Sequence, residues 1–168
     1  MTTLYLVRHG ETVDNARQIM QGQTQGELNE TGLKQAKEVA EKFRMEHLDA
    51  IVASDLNRSI QTAEIIARPH GLELTITPLL RERDWGDFTG RFIPSLKGEP
   101  FPDNVETMEA LLARAGRFLE FIKSNFPEKK VLAVGHGIFN KAIQAVHYNK
   151  STRQIERMMN AEVRVLEL

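Results

Sequence analysis

The chain has 168 residues, no cysteine, a net charge of −1, and 41% hydrophobic and 27% charged residues. This excludes disulfides, thiolate metal sites and cysteine nucleophiles, gives no global field to attract nucleic acid or an anionic membrane, and fits one domain over residues 1–168. No apolar run approaches the ~20 residues that cross a bilayer, and no signal-peptide pattern opens the chain, so a cytoplasmic protein is expected, with no nucleic-acid or membrane partner.

The first strand is read at about Thr3–Arg8, an apolar run that ends abruptly in Arg8-His9-Gly10. The stretch from Asp14 to Glu27 is irregular and rich in Gln and Gly. A helix starts near Thr31, with Leu33, Ala36, Ala40 and Phe43 on one apolar stripe. Ala50–Ala53 is a short strand ending in Ser54-Asp55. The next helix starts near Asp55, carries Leu56, Ile60, Ala63 and Ala67 on one face, and stops before Pro69. Leu72–Thr77 alternates as a strand does. Trp85–Val105 has no periodic pattern yet holds three of the six prolines and four of the eleven aromatics. A loop of that length and composition reads as a lid or wall over an active site.

A long helix follows from about Glu106 to Asn125, with Met108, Leu111, Leu112, Ala115, Phe118, Leu119 and Ile122 inward. The strand Val131–Val134 ends in Gly135-His136-Gly137, and the helix after it places Ile138, Ala142 and Val146 at four-residue intervals. A final strand lies within Ala161–Leu168, where polar and apolar residues alternate as on a sheet edge. Strands alternating with helices imply an α/β fold: a mostly parallel central sheet, helices on both faces and an antiparallel edge strand. An edge strand is compatible with a monomer or a homodimer.

Two apolar strands thus each deliver one histidine to the same edge of the sheet, where ligands bind in open α/β folds. Arg8 can grip phosphate oxygens through paired charge-assisted hydrogen bonds. Arg58, in the first turn of its helix, is unfavourable for the helix dipole and suggests an anion opposite it. Two imidazoles and two guanidinium groups around one point match a phosphoryl group in charge and in hydrogen-bond donors. His9 is the candidate nucleophile, forming a phosphohistidine, with Gly10 O as the acceptor that holds its second ring nitrogen. His136, Arg8 and Arg58 stabilise charge during in-line transfer. A leaving alkoxide also needs a proton donor, and a phosphate beside a carboxyl group favours its protonated form. Glu82, Asp84 and Glu11 are all in reach on this reading, and chemistry alone does not choose among them.

Five motifs in order resemble the histidine phosphatase superfamily, in its phosphoglycerate-mutase-like branch. They are Arg8-His9-Gly10-Glu11-Thr12 with Asn15; Leu28-Asn29-Glu30-Thr31-Gly32 before Gln35-Ala36; Ser54-Asp55-Leu56-Asn57-Arg58 through Ala63; Leu80-Arg81-Glu82 with Gly86 and Gly90; and Gly135-His136-Gly137. The resemblance implies the phosphoglycerate-mutase-like fold, His9 as the phosphorylated nucleophile, Glu82 as proton donor and acceptor, and Arg8, Arg58 and His136 with Gly137 as the phosphate pocket. It adds Asn15, Gln21 and Gly22 as phosphate or substrate contacts, and needs no metal and no organic cofactor.

Two departures bear on function. Many members place Trp-Glu between the two glycines after the catalytic Glu, where this chain has Phe88-Thr89 within Gly86–Gly90. Cofactor-dependent mutases also carry a longer insertion whose basic residues hold a sugar-acid carboxylate. Here Arg91 and Lys97 are the only cations between Gly90 and Glu106. The leading expectation is therefore a phosphomonoesterase acting on a small phosphorylated metabolite. The alternatives are a phosphoglycerate mutase and a non-catalytic phosphate-ligand binding protein. A metal hydrolase is weaker still, because the two arginines repel a divalent cation.

Overall fold

The computed structural model describes residues 1–168. Five strands form one sheet: β1 (Thr3–Arg8), β2 (Ala50–Ala53), β3 (Leu74–Ile76), β4 (Lys130–Gly135) and β5 (Val163–Glu167). Their spatial order is β3-β2-β4-β1-β5, with every pair parallel except β1 and β5. β1 and β4 lie inside the sheet and are covered on both faces, which explains their nearly unbroken apolar sequences. Along β4, Val131 and Ala133 point to one core and Leu132 and Val134 to the other.

Two helix pairs cover the sheet. On one face α2 (Glu30–Phe43) and α3 (Asn57–Ala67) bury Val39, Phe43, Ala63 and Ile66. On the other, α4 (Met108–Asn125) and α5 (Gly137–Tyr148) bury Leu111, Phe118, Ile122, Phe139 and Ile143. The chain leaving β1 runs to α2 on one face, while the chain leaving neighbouring β4 enters α5 on the other. The crevice between these two strand ends is where a doubly wound sheet accepts a ligand.

Several elements differ from the sequence reading in their ends or facing. The irregular stretch after Thr12 begins with one helical turn, α1 (Val13–Ala16), closed by a capping box between Thr12 and Asn15. α2 starts at Glu30, because Asn29 caps it by accepting from Gly32 N–H at 2.8 Å. Its inward line runs Gly32, Ala36, Val39, Ala40, Phe43, which leaves Leu33 37% exposed instead of on the apolar stripe. α3 starts at Asn57, and Ile60 is only half-buried. β3 is shorter than Leu72–Thr77, since its partner β2 has only four residues and matches just Leu74, Thr75 and Ile76. α4 begins after its N-cap Thr107, so Met108 occupies the first turn and faces solvent. In α5 the buried face is Phe139, Ala142, Ile143 and Ala145, and Val146 lies at its margin, 37% exposed.

Trp85–Val105 contains two short 3₁₀ turns, Gly86–Phe88 and Ile93–Leu96. Backbone hydrogen bonds from Met20 to Arg91, Gly90 to Met20 and Ile93 to Gln18, 2.8–2.9 Å long, fasten it to the Gln18–Met20 stretch. Trp85, Phe88 and Phe101 stack edge to face above it. No helix is long and apolar enough to cross a membrane.

Candidate active site

The parallel register pairs Arg8 with Gly135, so the next residues, His9 and His136, leave the sheet side by side. Their ring centroids are 5.1 Å apart. Arg8, His9, Asn15, Gln21, Gly22, Arg58, Glu82 and Gly137 line one cavity of about 280 Å³. His136 is fully buried behind His9 and does not itself line the opening. A larger depression, about 690 Å³, lies between α4 and α5 against Leu119, Val146 and His147. None of the predicted site residues reaches it, so its size says nothing about the chemistry.

His9 Nδ1 lies 2.7 Å from Gly10 O. A carbonyl can only accept, so Nδ1 carries the proton and a neutral His9 presents an unprotonated Nε2. Burial, reinforced by the Arg58 charge, pushes the pKa of His9 well below the ordinary histidine range; burial and the same arginine do so for His136. Both rings are neutral at physiological pH.

Arg58 is almost completely buried, and burial lowers its pKa to about 10, which leaves it charged. Its terminal nitrogens donate to Gly22 O at 2.7 Å and to Thr24 O and Gln25 O at 2.5 and 3.3 Å. Most of its fork therefore ties down the loop, and Nε is the nitrogen left without a partner. Arg8 donates Nη1 to Met158 O at 2.8 Å, and its Nε is likewise unpartnered. Burial and the nearby Arg157 charge lower the Arg8 pKa. A Cβ on Gly137 would come within 3.2 Å of Arg8 Nε and 3.3 Å of Cζ, so the glycine makes room for the guanidinium. Gly22 has φ +53, a conformation that favours glycine.

Four buried side-chain nitrogens lack any partner: Arg8 Nε, Arg58 Nε, His136 Nδ1 and, elsewhere, His70 Nε2. Buried polar groups are nearly always satisfied. Three of the four exceptions belong to the three residues that the sequence assigns to a phosphate.

Of the three rival carboxylates, Glu82 alone lines the cavity. Its Oε1 accepts from Phe139 N–H at 2.9 Å and Arg83 N–H at 2.8 Å, and its Oε2 accepts from Ile138 N–H at 3.1 Å. Glu82 thus rests on the positive N-terminal end of α5. Glu11 turns away and accepts from Asn29 Nδ2, and Asp84 closes an exposed turn to Gly86 N–H.

The profile of the histidine phosphatase superfamily (branch 1) matches residues 4–168. The chain belongs to that superfamily. This superfamily member is 40% identical over 141 residues to the uncharacterized phosphatase PhoE of Bacillus subtilis, covering 82% of this chain and 72% of PhoE. It is 37% identical over 153 residues to the probable phosphoglycerate mutase GpmB of Photorhabdus laumondii, covering 82% and 71%. Among solved structures, it matches a mycobacterial glucosyl-3-phosphoglycerate phosphatase in complex with VO3 at a TM-score of 0.89 and 27% identity, over 98% of this chain and 92% of that one.

The candidate site also holds residues that sequence reasoning missed. Ser54 Oγ lies 2.7 Å from His136 Nε2, and Thr62 Oγ1 accepts from Gly10 N–H at 3.1 Å. Asn160 Nδ2 donates to His9 O and to Asn15 Oδ1 at 3.1 and 3.3 Å. Arg157, Ile19, Met20 and Ile138 complete the cavity lining, with Trp85 and Ile93 from the predicted lid or wall. Ser54 was readable as the end of a third strand at the same edge. Arg157 and Asn160 sit in a stretch without periodicity and carry no local signal.

Proposed function

We propose that this chain is a single-domain phosphomonoesterase of the histidine acid-type, hydrolysing a small phosphorylated metabolite through a phosphohistidine on His9. The observation that carries the reading is the trio of unpartnered buried nitrogens, Arg8 Nε, Arg58 Nε and His136 Nδ1, gathered around His9. An anion is the ligand that satisfies them.

The neutral His9 Nε2 attacks phosphorus while Gly10 O keeps the opposite ring nitrogen protonated. The bond from phosphorus to the ester oxygen breaks, and protonated Glu82 gives its proton to the departing alkoxide. Water then attacks the phosphohistidine, Glu82 takes the proton from it, and inorganic phosphate leaves with His9 restored. Arg8, Arg58 and His136 stabilise charge on the oxygens that do not react. Charge neutralisation comes from arginine, so the cycle calls for no metal and no cofactor.

Hydrolysis fits better than phosphoryl transfer to a second substrate hydroxyl. Arg91 is paired with Glu99 at 2.9 Å, and neither it nor Lys97 lines the cavity that holds the phosphate-binding residues. The cavity also shares Met20, Trp85 and Ile93 with an adjoining, mostly apolar depression of about 440 Å³ that adds Phe88, Pro94, Leu96 and Phe101, with Lys97 as its one cation. The body of the ester meets an apolar wall.

Rapid-quench labelling tests the cycle: wild type yields an acid-labile, base-stable phosphoryl label, and His9→Ala yields neither label nor turnover. Near-normal hydrolysis by His9→Ala would refute the covalent role. With 3-phosphoglycerate, isomerisation outpacing phosphate release would replace the phosphatase with a mutase.

A further inference from the structure

Glu82 lies in an irregular stretch after the 3₁₀ turn Pro78–Leu80, where no helix or strand fixes the backbone. The support comes from Arg114, in the first half of α4 and outside the cavity. Its Nη1 donates to Leu79 O and Arg81 O at 3.0 and 2.6 Å, and Nη2 donates to Glu82 O at 3.3 Å. Its remaining N–H groups grip Glu106, from Nε to Oε2 at 3.1 Å and from Nη2 to Oε1 at 2.9 Å. All five donors of the guanidinium are therefore engaged.

Glu106 carries the clamp past Glu82. Its Oε1 accepts from Asp84 N–H at 3.0 Å, and its backbone carbonyl accepts from Arg83 Nε at 2.8 Å. Arg114 and Glu106 are 11% and 14% exposed. Burial raises the Glu106 pKa, but hydrogen bonds from Arg114 and Asp84 N–H outweigh it and hold the carboxyl below its ordinary range. The guanidinium also stacks 4.1 Å from the ring centroid of Phe139, whose N–H holds Glu82 Oε1.

We infer that Arg114, locked by Glu106, is a positioning residue that sets the Glu82 carboxylate for proton transfer to the leaving group. The inference rests on the proposed role of Glu82 as proton donor. Lysine cannot stand in, having three donors and no planar fork to bridge three carbonyls and a carboxylate.

The test compares two esters. An alkyl phosphate expels a poor leaving group that needs a proton, whereas p-nitrophenyl phosphate expels a stable phenolate. kcat/KM reports the steps through leaving-group departure and excludes hydrolysis of the phosphohistidine. Glu82→Gln should cut the alkyl-to-nitrophenyl ratio of kcat/KM by about 10²-fold or more, the range for a lost general acid. Arg114→Lys and Glu106→Gln should cut the same ratio about tenfold. In Arg114→Lys the alkaline limb of the alkyl-ester pH profile should also move. The second variant keeps the arginine, so it serves where the first folds poorly.

An unchanged ratio in folded Arg114→Lys and Glu106→Gln, with Glu82→Gln still selective, overturns the positioning role alone. An unchanged ratio in Glu82→Gln overturns the proton-donor reading and this inference with it.

Discussion

Ser54, at the end of β2, holds its hydroxyl oxygen 2.7 Å from Nε2 of His136, at the end of β4. Two strand ends, β2 and β4, are thereby joined through side chains, and the His9 ring at the end of β1 lies 5.1 Å from that of His136. His136 is fully buried, and its other ring nitrogen has no protein partner. For Nδ1 to donate to a phosphate, a neutral ring must accept at Nε2, and the Ser54 hydroxyl is the donor for that bond.

Ser54→Ala removes that donor and leaves a buried imidazole unpartnered on both sides. The expected cost is about 1–3 kcal/mol of stability, the penalty for an orphaned buried polar group. kcat/KM should fall as His136 loses its defined tautomer. Urea unfolding and phosphate-release kinetics on one preparation check both effects, and an unaltered midpoint with unaltered kinetics would remove Ser54 from the site.

Acid should weaken the fold before the carboxylates titrate. Burial holds the pKa of His9 and His136 well below 6.5, whereas the unfolded chain takes up protons on both near pH 6.5. The unfolded state then binds more protons, so stability falls as pH drops below about 6.5. The groups with depressed carboxyl pKa values, Asp49, Asp55, Glu106 and Glu162, act at lower pH. Melting temperatures between pH 7.5 and 5.5 should decline in the wild type and decline less in His9→Ala. A flat wild-type profile over that range would mean the rings are not held neutral.

Arg58→Ala should lose more than a phosphate contact. The same side chain ties the carbonyls of Gly22, Thr24 and Gln25, so the loop beside the cavity loosens with it. A loss of about 10²–10³-fold in kcat/KM is expected, as for removal of one preorganised transition-state donor. Faster proteolysis within residues 22–26 should accompany it. Arg58→Lys should restore little of either, because an ammonium cannot span three carbonyls and an anion. Wild-type kcat/KM in Arg58→Ala would exclude it from the site.

Sequence order carried the fold and the strand-end residues well, for a physical reason. Arg8, His9, His136 and Gly137 are placed by the ends of covered strands, and strand ends are visible in local hydropathy. Leu33 and Met108 were misread because both lie in first turns: Leu33 is one position off the line that packs, and Met108, three residues before Leu111 on its line, sits at a helix end that leaves it 39% exposed. The choice of Glu82 over Glu11 and Asp84 needed either a family resemblance or three dimensions, since only Glu82 meets the N-terminus of α5. Arg114 and Asn160 act on residues far away in sequence, and no local pattern marks such a contact.

The apolar wall makes a prediction about substrate shape that is independent of leaving-group chemistry. n-Alkyl phosphates from ethyl to hexyl release alcohols of nearly equal acidity, so differences in kcat/KM along the series report burial of the chain. Each methylene that leaves water for the surface formed by Met20, Trp85, Ile93 and Phe101 should raise kcat/KM about threefold to fourfold. The rise should stop when the chain outgrows the depression. Phe101→Ala should flatten the slope, lowering the hexyl-to-ethyl ratio, because that ring is over half exposed and forms the outer rim. A series that is hydrolysed but flat would assign the wall to packing and leave the phosphatase intact. No turnover on any member would count against the phosphatase itself.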